Sequence, residues 1–366
     1  MSTRMSSHSP IRVGISGFGR SGCGIHAATL ALLPELYSVK AVFDPLPGRS
    51  ADSPQPGIAA HASFDDLIAD PDLELIVVAS PNKWHARQAR AALAAGKHVL
   101  CEKPFGFTTA DVDAMIAAAR SAGRILQPFQ QRRYEPDFVK VREICQSGLL
   151  GKITHVRIAW HGFGRRWDWQ TLRSFGGGQL YNNGPHLIDH ALELFGPADP
   201  EIWCDFKNSL SSGDAEDEFK ILLRADHAPT IQLELLATAA YGDERWRICG
   251  TAGGLRGNAD RLDWKSVDWS AMPARPADDR PTPDRGYNGE KLTWREDSWT
   301  PAVQADAGAG AAPAQQPVRD LYTDLWKTIR EGAPQVITPH DVRRRIAVME
   351  ACYRQRCIPL PEGTLQ

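Results

Sequence analysis

The chain has 366 residues, 42 basic against 44 acidic, and its length suggests two domains. Near-balanced charge gives no sign of a nucleic-acid or membrane partner, and no run approaches the ~20 apolar residues of a membrane span. Seven scattered cysteines without C-x-x-C exclude a disulfide framework or zinc knuckle and fit a reducing compartment.

Residues 1–10 are polar and lack the apolar core of a secretory signal, so a soluble cytoplasmic protein is expected. Residues 11–22, IRVGISGFGRSG, read as a short apolar strand running into glycines. Gly17, Gly19 and Gly22 fit G-x-G-x-x-G, with Phe18, Arg20 and Ser21 between them, and a helix is predicted over 26–33. The first glycine permits a tight turn. The second lets backbone approach a pyrophosphate, and the third lets helix and strand pack closely. Asp44 ends the next apolar run, where a carboxylate accepts hydrogen bonds from ribose hydroxyls. NAD is the expected cofactor. Arg49, in the Pro/Gly-rich loop that follows, would tolerate the 2′-phosphate of NADP.

A short helix is predicted over 64–69 and a buried strand over 73–79, which ends in Ser80, Pro81 and Asn82. Ligands in open α/β sheets sit beyond such carboxyl ends, so these three are candidate cofactor contacts. His85 opens an alanine-rich helix over 85–95, stopped by Gly96. HVLCEKP is the next strand and turn, carrying Glu102 and Lys103. Thr109 is the expected cap of a helix over 110–122, and 125–129 is a further strand. Alternating strands and helices predict a doubly wound parallel sheet.

GFGRSG, SPNKWH, AGKHVLCEKP and GGGQLYNNGPHLID occur in that order along almost the whole chain. On these motifs the chain resembles the glucose–fructose oxidoreductase and inositol dehydrogenase family. The resemblance implies an N-terminal Rossmann domain over 1–128. It also implies an α+β substrate-binding and oligomerisation domain over 129–366, with a large open, mostly antiparallel sheet. It further implies a nicotinamide cofactor, a sugar or cyclitol substrate, a homo-oligomer (dimer or tetramer), a cis Lys103–Pro104 bond, and contact of Lys103 with both substrate and cofactor.

In the second half, Arg133 is a candidate substrate contact in the family's manner. HGFGRRWDWQTLRSFGGG interleaves aromatics with arginines. Trp167 and Trp169 there could stack on the C–H faces of a sugar. A helix over 185–195 carries His186, Asp189, His190 and Glu193 as one polar stripe. The family's catalytic histidine maps onto His186, in the pattern D-x-x-x-H. Asn182 stands in the aspartate's place and cannot supply its charge, which Asp189 is expected to supply instead. The expected mechanism has His186 take the proton of a ring hydroxyl, Lys103 stabilise the developing alkoxide, and Asn182 orient the hydroxyl. H-x-x-D-H also approaches a zinc pattern, but no metal is expected. Strands are predicted over 153–160, 219–224, 230–237 and 245–250, and two helices over 319–331 and 339–354, the second capped by Thr338. Residues 258–317 form a variable Pro/Ala/Asp-rich insertion whose tryptophans argue against full disorder.

The leading expectation is an NAD(P)-dependent oxidoreductase acting on CH–OH groups of a sugar, sugar derivative or cyclitol. Two alternatives are a redox-neutral sugar-processing enzyme that recycles a bound cofactor, and a ligand sensor without catalysis.

Overall fold

The computed structural model describes residues 9–46, 48–49, 57–282, 286–301 and 315–361. Most of the low-complexity run from 307 and most of the loop after Arg49 lie outside these.

The first sheet has six parallel strands: β1 (Ile11–Ser16), β2 (Tyr37–Phe43), β3 (Ala59–Ala60), β4 (Leu75–Val78), β5 (His98–Cys101) and β6 (Leu126–Pro128). Their order is β3-β2-β1-β4-β5-β6, the doubly wound Rossmann arrangement. β4 is Leu-Ile-Val-Val because both its faces are covered. Leu75 and Val77 enter one core, and Ile76 and Val78 the other.

The crossover helices are α1 (Ala28–Leu30), α2 (Phe64–Ala69), α3 (His85–Ala94) and α4 (Thr109–Ala122). The predicted helix over 26–33 is not regular. Gly22–Ala27 is a wide π-type turn, and only the short α1 follows. Glycine at two of those six positions gives little helix propensity, and π geometry is frequent at functional sites. α4 is capped by Thr108 rather than Thr109. The Thr108 hydroxyl accepts from Asp111 N–H at 3.0 Å, while the Asp111 carboxylate accepts from Thr108 N–H at 3.0 Å.

α5 (Pro136–Gln146) leads into β7 (Ile153–His161), then α6 (Gln179–Asn182) and α7 (Gly184–Phe195). Seven further strands join β7: β8 (Glu201–Lys207), β9 (Glu218–Arg224), β10 (Thr230–Leu236), β11 (Trp246–Gly250), β12 (Gly253–Gly257), β13 (Leu262–Ser266) and β14 (Arg295–Trp299). The order is β14-β13-β12-β11-β7-β10-β9-β8, antiparallel except where β7 meets β10. The tryptophan-bearing insertion thus extends this sheet at Trp264 and Trp299. Residues alternate between buried and exposed along β9 and β11, so one face packs on the molecule and the other is open.

α8 (Gln316–Glu331) and α9 (Pro339–Gln355) close the chain. Leu321, Tyr322 and Leu325 of α8 share a core with Ile11, Val13 and Ile15 of β1. A cut at residue 128 therefore divides the two sheets but not the packing. α8 covers the β1 face of the first sheet beside Ala27 and Leu30 of the first crossover. No helix among the described residues is long and apolar enough to cross a membrane.

Candidate active site

The strand order reverses between β1 and β4, and the crevice at that point is where open α/β sheets bind ligands. A cleft of about 440 Å³ lies there, walled by Gly17, Gly19, Arg20, Ser21, Asp44, the 80–82 turn, His85, Glu102 and Lys103. Gly17 has φ +86°, and a Cβ on it would stand 2.6 Å from Ala79 O. A Cβ on Gly22 would stand 1.9 Å from Gly17 O. Neither position admits a side chain, so the turn hugs the sheet and leaves the cleft open for a pyrophosphate.

The Asp44 carboxylate accepts from Phe18 N–H at 2.7 Å and Leu46 N–H at 2.9 Å, and Arg49 lies 3.3 Å from it. Asp44 thus ties the glycine turn to β2, with a guanidinium over it at the expected ribose end. A glycine turn, a carboxylate at the second strand's end and a crevice of this size fit a dinucleotide.

Ser80, Pro81 and Asn82 line the cleft, and the side chains of Asn82 and His85 brace its walls. Asn82 donates to Gly176 O at 2.8 Å, pinning the first sheet to the 162–178 loop. His85 is buried, with its ring nitrogens 2.7 Å from Ser80 O and 2.7 Å from Pro104 O. It holds the 80–82 turn against the turn at Lys103–Pro104, a cis bond.

Lys103 joins the two halves of the molecule. Its Nζ donates to Asn182 O at 2.8 Å and to Asn182 Oδ1 at 3.0 Å, at the end of α6. Burial lowers the ammonium to about 8 despite the adjacent Glu102 carboxylate, with Arg20, Arg132 and Arg166 acting in the same direction as burial. Burial pushes Glu102 upward, but His26, Lys103 and Ser21 outweigh it and hold the carboxyl down at about 2. The Ser21 hydroxyl donates to Glu102, and Lys103 N–H donates to it at 3.0 Å. His26, in the π turn, lies 3.3 Å from Glu102 and 2.8 Å from the Tyr322 hydroxyl of α8. His26 and Tyr322 stand 296 residues apart, and no local motif signals their meeting.

His186 lies in the first turn of α7 and is buried, with its pKa well below the usual histidine value. Burial is the main cause, and Arg132, Lys103, Arg345 and His190 add to it. Its ring is neutral at working pH. Its Nδ1 is 3.3 Å from Gln130 Nε2, a contact not foreseen. The available signal was position: Gln130 follows the carboxyl end of β6.

The expectation for Asp189 is corrected. Its carboxylate is bidentate to Arg133, at 2.8 and 2.9 Å, and lies 3.3 Å from Arg345. These guanidiniums claim its charge, and it is not available to His186. Arg133 is corrected with it. It is buried on Asp189 and also pairs with Glu193 at 3.3 Å, so it serves α7 and not a ligand. His190 stacks on Phe138 at 3.9 Å and bonds Arg132 O at 2.9 Å. The H-x-x-D-H side chains therefore take separate partners. No group of three or more His, Cys, Asp or Glu among the described residues could hold a metal ion.

From the 162–178 loop, Trp169, Arg166, Asp168 and Gln170 complete the cleft. Trp167 is 78 % exposed and does not line it, whereas Trp169 is 37 % exposed and does. Arg166 is fixed by two bonds to Asp168, at 2.9 and 2.8 Å. The arrangement offers a dinucleotide bed with a lysine of lowered pKa on its wall; His186 is not among the residues lining the cleft, but its neutral ring feels the Lys103 charge.

Residues 11–130 match a family model described as an oxidoreductase family with an NAD-binding Rossmann fold, and residues 138–256 match the GFO/IDH/MocA C-terminal domain. An uncharacterized oxidoreductase of Schizosaccharomyces pombe, C26H5.09c, is 32% identical over 96% of this chain and 100% of its own. The scyllo-inositol 2-dehydrogenase (NADP(+)) IolW of Bacillus subtilis is 29% identical over 51% of this chain and 52% of its own. The crystal structure of GenD2 from gentamicin A biosynthesis, in complex with NAD, has the same fold. Its TM-score is 0.71 at 22% identity, covering 98% of this chain and 97% of that one. With both domains matched and a relative aligned end to end, the chain belongs to the Gfo/Idh/MocA family of NAD-binding oxidoreductases.

Proposed function

We propose that this oxidoreductase interconverts a CH–OH group and a carbonyl on a sugar, sugar derivative or cyclitol, with NAD or NADP. When bound, the nicotinamide supplies the hydride acceptor or donor. The observation that carries the reading is the double bond from Lys103 Nζ to Asn182. It puts an amine of lowered pKa on the wall of the dinucleotide cleft and against the element that precedes His186. One polyhydroxylated ligand resting there would meet Lys103, Asn182 and His186 through its oxygens and Trp169 through its C–H face. Gly17 to Gly22, Asp44, the 80–82 turn and Glu102 would form the cofactor bed. The same reading includes a dimer or tetramer formed through the open face of the second sheet.

A screen of sugars and cyclitols with NAD and with NADP, followed by absorbance of the reduced cofactor, tests this. Lys103→Ala should slow turnover of the best substrate by at least ~100-fold, as for loss of a positioned acid–base group. A rate near wild type would refute the assignment. Arg49→Ala, which frees the Asp44 carboxylate, should shift binding preference from NADP toward NAD in a fluorescence titration. An unchanged ratio would show that the guanidinium does not meet the ribose end.

A further inference from the structure

The side-chain amide of Gln130 faces the ring of His186. Gln130 is fully buried behind the first turn of α7. Its Nε2 stands 3.4 Å from Pro185 O and 3.3 Å from His186 Nδ1. A backbone carbonyl only accepts, so the atom beside Pro185 O must be the amide nitrogen. Turning the amide over would set two oxygens against each other and leave both N–H groups where Oε1 now stands. That site has no protein partner among the described residues. An amide nitrogen only donates, so His186 Nδ1 accepts. Burial and the surrounding cations keep the ring neutral, so its single hydrogen is on Nε2. Among the described residues the ring's hydrogen-bond partner is Gln130 at Nδ1, with none at Nε2.

We propose that Gln130 is a positioning residue that fixes the Nε2–H tautomer of His186, so that His186 donates a hydrogen bond to the substrate oxygen and Lys103 accepts the substrate's proton. This rests on the oxidoreductase reading and exchanges the roles suggested by sequence alone. Lys103 has two of its donors on Asn182, which leaves its third position for the substrate oxygen. In the oxidation direction the O–H bond breaks and its proton becomes the third N–H of Lys103. The electron pair left on oxygen closes the C=O bond as the carbon gives up its hydride to the nicotinamide. The titratable and charged groups around Lys103 are Glu102, Arg20, Arg132 and Arg166, and those around His186 are Arg132, Lys103, Arg345 and His190, itself held uncharged by burial. Asn182 leaves the lysine without the anion that an aspartate would put beside it.

Long-range ¹H–¹⁵N correlation spectra of histidine-labelled enzyme read the tautomer directly, with the His186 signal identified by its loss in His186→Asn. The expected result is Nε2–H in the wild type, and a proton on Nδ1 in Gln130→Glu, whose carboxylate can only accept. Nδ1–H in the wild type overturns the proposal even if Gln130→Glu fails to fold. An unchanged tautomer in a folded Gln130→Glu overturns the role of Gln130. Either failure leaves the oxidoreductase reading standing, because that reading depends on turnover with a nicotinamide and not on the tautomer.

Discussion

Restoring the charge that Asn182 lacks should move the working pH of the enzyme upward. In Asn182→Asp a carboxylate oxygen takes the place of Oδ1, 3.0 Å from Lys103 Nζ. Coulomb's law at ~3 Å gives roughly 1.4 kcal/mol in water and about 5.5 kcal/mol at an effective dielectric of ~20. One pKa unit is about 1.4 kcal/mol, so the range is roughly one to four units. The cleft opens to solvent on the substrate side, which favours the low end. Lys103, held at about 8, should rise by about one to two units. The direction for catalysis follows from the proton's path. Lysine accepts a proton only when neutral, so raising its pKa removes the active form. The rising limb of kcat/KM for oxidation should shift alkaline by at least ~1 unit, with a loss at pH 8 of about 5-fold for one unit and about 50-fold for two. A ¹³C-lysine titration of Lys103 gives the same shift without turnover. A limb and a titration that both stay within a few tenths of a unit of wild type would show that the Asn182 side chain does not govern this lysine.

Asp189→Leu should destabilise the fold by about 3–5 kcal/mol in urea unfolding, because it takes the carboxylate partner from the buried Arg345 and the bidentate one from the buried Arg133, which keeps Glu193 and Asp341 at 3.3 and 3.5 Å. A loss under ~1 kcal/mol would mean that solvent reaches the guanidiniums. His98 offers a pH test of stability. Burial, aided by Arg124, lowers its pKa to about 4, and its Nδ1 accepts from Ile125 N–H at 3.0 Å. The unfolded chain therefore binds this proton first as pH falls. The contribution is complete above pH ~6.5 and is lost progressively down to about 4. His98→Gln, whose amide oxygen can still accept from Ile125, should lose less stability than wild type between pH 7 and 5. Equal losses would assign the acid sensitivity to other groups.

Local signals carried as far as each local cause extends. The four-residue β4 could be read as a doubly covered strand because burial on both faces leaves no polar alternation. Gly17 and Gly22 could be read because backbone approach forbids a Cβ whatever lies elsewhere in the chain. Lys103 could be placed because the end of a parallel strand has only one crevice to face. The polar stripe of α7 marks the limit. A helical wheel states which side chains share a face and says nothing of what stands opposite. His186, Asp189 and His190 do share their stripe and are all buried. Yet the element opposite presents Gln130 to the first, Arg133 to the second and a backbone carbonyl to the third. Reading Asp189 as the charge behind His186 assumed that neighbours on a helix serve one another. Two guanidiniums supplied by α9 and the chain after β6 outbid that assumption, because a buried carboxylate goes to the strongest donors within reach. The same reasoning applies to His26 and Tyr322, whose contact exists only because α8 returns to cover the first sheet. Tertiary return of distant chain, rather than any weakness of the motifs, decides which partners the polar residues of the site take.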